Sequence, residues 1–129
     1  MKLEVVFHLK DLKMPPLCCK CGSKSPPFEW DKVEVRWYSD WSMKRWSTLL
    51  FRFPYCPSCL REVQKRMIRK WISRGVDVSD VKTRSHGKFL RKEKVPYIEI
   101  DFKNNEFGEL FRQLNQDSLL ENVLKAAKQ

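Results

Sequence analysis

The stretch 54-PYCPSCLR-61 places two cysteines, Cys56 and Cys59, where the hydrophobic pattern changes period. Before it, Leu49, Phe51, Phe53 and Tyr55 recur at every second position, the pattern of a strand. After it, Leu60, Val63, Met67 and Trp71, with Ile68 and Ile72 beside them, recur at spacings of three and four, the pattern of a helix that Gly75 is placed to stop. A C-x-x-C at such a junction supplies either two ligands of a metal ion or a redox disulfide.

The other cysteines bear on that choice. They are Cys18, Cys19 and Cys21, so Cys18 and Cys21 form a second C-x-x-C, followed by Gly22. Five is an awkward number for a disulfide framework, and this spacing in a cytosolic chain reads first as metal binding. The opening residues, MKLEVVFHLKDLK, carry scattered charges and lack the layout of a signal peptide, so the expected compartment is the cytoplasm. Zinc takes four tetrahedral thiolates, and a tight turn presents both sulfurs of a pair while its amides hydrogen-bond to them. Gly22 can adopt the positive φ such a turn uses. The second pair opens a helix, whose positive dipole end favours thiolate charge.

Between the two pairs, Val33, Val35 and Trp37 alternate with Glu34, Arg36 and Tyr38, and a polar stretch over residues 39–44 joins this strand to the one before Cys56. A cysteine knuckle, a hairpin and a ligand pair opening a helix, in that order over residues 14–74, resemble the treble-clef and zinc-ribbon-like four-cysteine zinc proteins. The resemblance implies Cys18, Cys21, Cys56 and Cys59 as ligands of a structural zinc. Cys19 departs from the pattern and takes the place of Cys18 if the turn rotates.

Residues 55–59 also resemble a glutaredoxin active site, with Val95-Pro96 similar to that family's cis-proline segment. That resemblance implies a thiol oxidoreductase in which Cys56 attacks and Cys59 resolves the mixed disulfide. It leaves the CCKCG run unexplained, lacks a Gly-Gly pair after the final strands, and needs a buried helix where residues 82–94 are highly charged.

The fold class expected is α+β, in three parts. Residues 1–75 hold the four-cysteine module, with an N-terminal strand carrying Leu3, Val5, Phe7 and Leu9 on one side. Residues 76–94, with little periodic apolar content after Val81, read as a basic loop. Residues 95–129 read as a strand with Ile98, Ile100 and Phe102 on one side and a helix capped near Asn104 that carries Phe107, Leu110, Phe111 and Leu114. A last helix is expected from Ser118, in a capping box with Glu121.

Charge points to a partner. The chain carries 26 Lys and Arg against 16 Asp and Glu, and residues 61–94 alone hold 12 of the basic and 4 of the acidic side chains. A field so concentrated suits an anionic partner. The expected contacts are Arg61, Lys65, Arg66, Arg69, Lys70 and Arg74 on the helix and Lys82, Arg84, Lys88, Arg91 and Lys92 beyond it. Trp41, Lys44 and Arg45 join them from the hairpin, where rings stack on unpaired bases and cations meet phosphates. Nucleic acid, RNA or a ribonucleoprotein above all, is the expected partner, with an acidic protein surface as the alternative. Trp71 and Ile72 would also suit a peripheral contact with an anionic membrane. No stretch is long and apolar enough to span a bilayer. His8 and His86 read as core or surface residues. No paired carboxylates, phosphate loop or hydrolase motif argues for an enzyme.

Overall fold

Ile98, Ile100 and Phe102 recur at every second position and are fully buried, which makes their strand the spine of the molecule. The computed structural model describes residues 1–7, 11–38, 46–66, 75–88 and 91–127. Expectations for His8, Leu9, Trp41, Lys44, Arg45 and residues 67–74 lie outside the described residues. In chain order the elements are β1 (Lys2–Val5), β2 (Glu29–Tyr38), β3 (Trp46–Tyr55), α1 (Pro57–Arg66), β4 (Val76–Val78), β5 (Lys82–Lys88) and β6 (Arg91–Phe102). Then come α2 (Asn105–Leu114), a 3-10 turn (Gln116–Ser118) and α3 (Leu120–Ala127). The class is α+β.

All pairings in the two sheets are antiparallel. β2 and β3, ten residues each, form a hairpin with Glu29 opposite Tyr55 and Tyr38 opposite Trp46. In the other sheet the C-terminal half of β6 lies between β1, with Lys2 opposite Asp101, and β4, with Val76 opposite Phe102. Its N-terminal half pairs with β5, Lys82 facing Tyr97 and Lys88 facing Arg91. From Val78 to Lys82 the chain advances four residues while β6 retreats three, from Ile100 to Tyr97, so β4 and β5 are one interrupted strand with a bulge between them. Ser79 holds the interruption, its N–H donating to Glu99 O and its Oγ accepting from Glu99 N–H, both at 2.9 Å.

The expectation of a basic loop over 76–94 is therefore corrected: most of that segment is β-structure. Lys82, Thr83, Arg84 and Ser85 are all exposed, and a ribbon wet on both sides has no apolar alternation to reveal it. Backbone pairing to β6 holds it instead. The N-terminal strand pairs with β6, where its apolar side completes the sheet around Ile98 and Ile100.

One core joins the hairpin to this sheet. Phe53 of β3 meets Phe102 of β6 edge-on at 6.3 Å, and Phe102 packs on Phe107 and Phe111 of α2 at 5.4 and 4.9 Å. α2 begins where expected, the Asn104 side chain accepting from Phe107 N–H at 2.9 Å. α3 does not begin at Ser118. That residue is buried in the 3-10 turn, where its carbonyl accepts from Val6 N–H at 2.7 Å, and the helix starts at Leu120. Docking on β1 thus outcompetes a local cap. Leu120 closes a smaller core with Val6 and Val95.

Buried Asn115 ties this C-terminal half to the segment leading into the first cysteine pair. Its Oδ1 accepts from Lys13 N–H at 2.7 Å, while Nδ2 donates to Lys13 O at 2.8 Å and to Phe111 O at 2.9 Å. Asn115→Ala strands these groups and is expected to cost about 1–3 kcal/mol, read as a lowered urea midpoint.

Candidate metal centre

The first cysteine pair sits on a tight knuckle. Cys18 N–H donates to Ser23 O and Gly22 N–H to Cys18 O, both at 2.9 Å, and Gly22 has φ +78°. Inside this turn the Cys21 amide points at Cys18 Sγ, 3.5 Å away, as an amide that stabilises a thiolate does.

The second pair opens α1. Pro57 follows Cys56 at the first helical position, where a missing N–H costs nothing, and Leu60 N–H closes the first turn on Cys56 O at 3.0 Å. The first turn of α1 contains no acidic residue, so the thiolates are the charges available to its dipole.

Three contacts dock the knuckle. Cys19 N–H donates to Pro54 O of β3 at 2.9 Å, and Lys20 Nζ lies 3.2 Å from Glu62 Oε2 of α1. Gly75, with φ +87°, packs so closely on Lys20 that a Cβ would stand 3.1 Å from its Cα and 3.0 Å from its Cβ. Gly75→Ala combines left-handed strain with that clash and is expected to destabilise by at least about 1–2 kcal/mol in thermal or urea unfolding.

The result is a cluster of four sulfurs, those of Cys18, Cys21, Cys56 and Cys59, all within 4.8 Å of one another. Zn–S bonds of about 2.3 Å in a tetrahedron set sulfurs about 3.8 Å apart, and Cys21 Sγ lies 3.6 Å from Cys56 Sγ. No cysteine is in a disulfide. Cys18, Cys56 and Cys59 are buried and Cys21 is at the surface. Cys19 is outside the cluster: its buried thiol bonds with Tyr55, and desolvation pushes it up to about 12, so it stays protonated.

The sulfurs influence one another. Burial opposes ionisation of Cys56, but hydrogen bonds from the Ser58 hydroxyl, the Cys59 backbone and the Cys59 and Cys21 thiols outweigh it and bring the group down to about 6. Cys59 is pushed up by burial and then by Cys56 and Cys21, and Cys21 is pushed up mainly by burial. Without a cation, Cys56 therefore ionises readily while Cys59 and Cys21 hold their protons. A divalent ion supplies the charge that lets all four ionise. The donor set, four sulfurs and no oxygen, fits zinc.

The second sulfur pair bears on the glutaredoxin resemblance. Cys56 has Cys21 beside it, and Pro96 lies in the β5–β6 ribbon opposite Thr83, in a different sheet from β3.

Among the described residues, the expected basic contacts distribute over α1, β5 and the start of β6. Arg61 is exposed on α1, its Nε–H donating to Pro57 O at 3.3 Å, and Lys65 and Arg66 follow on the same helix. Lys82 and Arg84 are exposed on β5, with Lys82 Nζ 3.7 Å from Glu99 Oε2. Lys88 lies at the end of β5 opposite Arg91, and Lys92 lies opposite Gly87. Arg69, Lys70, Arg74, Trp41, Lys44 and Arg45 lie outside the described residues. Sequence reasoning overlooked Trp30, Lys32 and Arg52, which stand exposed on the outer face of the hairpin. The signal was their parity, opposite to that of Val33, Val35, Phe51 and Phe53. Comparison with protein-family models, with curated proteins and with solved structures finds no match to this chain.

Proposed function

We propose that the chain is a non-enzymatic zinc protein of treble-clef or zinc-ribbon type, whose metal is structural, and that it binds nucleic acid, RNA or a ribonucleoprotein, through its basic surface. One observation carries the metal reading: sulfurs from two C-x-x-C pairs 35 residues apart approach to 3.6 Å. With four protein ligands no position is left for an activated water, so Cys18, Cys21, Cys56 and Cys59 would hold the ion for the sake of the fold. Free thiols throughout suit the reducing cytoplasm.

The formal charge of +10 and the exposed Arg61, Lys82 and Arg84 support an anionic partner. Two measurements test the reading. Protein purified under reducing conditions is expected to carry one zinc per chain; no metal, together with a reversible Cys56–Cys59 disulfide, would favour the thiol oxidoreductase. Affinity for RNA is expected to fall steeply with added salt and to survive competition by an acidic protein.

Zinc affinity also depends on pH with a defined sign. Cys56 is depressed to about 6 and Cys59 raised, so at neutral pH zinc must displace protons from the cluster. Binding is therefore expected to weaken as pH falls from about 8 to about 5, with release of more than one proton per ion, measured with a competing zinc indicator.

A further inference from the structure

The β2–β3 hairpin turns one face to the core and the other to solvent. On the outer face the register sets Trp30 opposite Pro54, Lys32 opposite Arg52 and Glu34 opposite Leu50. Trp30 is 52% exposed, and Lys32 and Arg52 are exposed beside it. Two cations directly opposite each other repel, and neither has an ion pair among the described residues. Glu34 has a partner of its own. An indole left in water about 6.8 Å along the strand, two residues at about 3.4 Å each, adds a flat apolar surface next to a doubled positive charge.

We propose that this outer face is a binding surface for single-stranded nucleic acid, with a base stacked on Trp30 and the adjoining phosphate held between Lys32 and Arg52. The inference rests on the nucleic-acid reading above and gives it a location and a strand state. An anion alone would satisfy Lys32 and Arg52 but leave the indole bare. An aromatic ring joined to a phosphate satisfies both, and only an unpaired base offers its face to an exposed indole. A duplex hides its base faces in the stack.

The test uses the zinc-loaded full chain and fluorescence anisotropy, with a labelled single-stranded RNA of about twelve nucleotides and a duplex of the same length, over a range of salt. Trp30→Ala is expected to weaken single-strand binding about 5- to 150-fold and leave the salt slope unchanged, with Trp30→Phe restoring most of the loss. Lys32→Ala with Arg52→Ala is expected to weaken binding and flatten the log–log salt slope by about 0.7, for the one phosphate the two cations hold. Zinc content and melting temperature confirm that each variant is folded.

Wild-type affinity in all three variants, with loss only in Lys82→Ala or Arg84→Ala, overturns this surface and leaves the nucleic-acid reading standing. Equal weakening of the duplex by Trp30→Ala overturns the single-strand assignment. Absence of binding to any nucleic acid, or displacement by an acidic protein at equal affinity, overturns both.

Discussion

Cys18→Ser or Cys59→Ser is expected to abolish stoichiometric zinc and the cooperative unfolding of the chain together. Structural zinc contributes about 10–16 kcal/mol in finger-sized units, as much as the whole stability of an ordinary domain, about 5–15 kcal/mol. Here the knuckle and the start of α1 meet through the four sulfurs and a few docking contacts, such as Lys20 to Glu62. Without the ion, the raised Cys59 and Cys21 thiols beside Cys56 leave only weak sulfur hydrogen bonds to hold the two pairs together. A strong chelator is expected to do the same to the wild type, with loss of near-ultraviolet circular dichroism and of the sharp thermal transition. Cys19→Ala is the control. Its thiol lies against Tyr55 outside the cluster, so zinc should stay at one per chain. Zinc retained by Cys18→Ser but lost from Cys19→Ala would sink the ligand assignment.

Phe102→Ala is expected to destabilise by about 3–5 kcal/mol, the range for large-to-small changes at fully buried aromatics. Phe102 is where three elements converge: β3 through Phe53, its own strand β6, and α2 through Phe107 and Phe111. Its ring links the hairpin to the sheet, so the cavity left behind cannot close without moving the hairpin. Phe102→Leu keeps most of the volume and is expected to recover more than half of the loss in the same urea titration. If Phe102→Ala unfolded at the wild-type urea midpoint, the hairpin would not depend on this contact.

The cap of α2, the hairpin and the cysteine pairs were legible because each is written within a few residues. Asn104 caps α2 through Phe107 three residues on, and β2 and β3 show their alternation over residues 33–38 and 49–55. The basic face was legible as charge but not as shape. Residues 82–88 are a strand because β6 offers them a ladder, and nothing in their own side chains marks them. Trp30, Lys32 and Arg52 became a group once the register between β2 and β3 was known.

Local chemistry, then, was enough to single out two C-x-x-C turns, one at the foot of a helix, and to call for a soft cation. Whether Cys18 or Cys19 joins the cluster depended on the rotation of the knuckle, which the Cys19 amide bond to Pro54 O and its thiol's contact with Tyr55 settle. The pairing of Lys2 with Asp101 and the shift of the last helix to Leu120 were decided the same way, across the length of the chain. The physical reason is common to all three: a short segment with more than one acceptable local conformation takes the one in which distant backbone groups complete its hydrogen bonds and distant side chains cover its apolar surface.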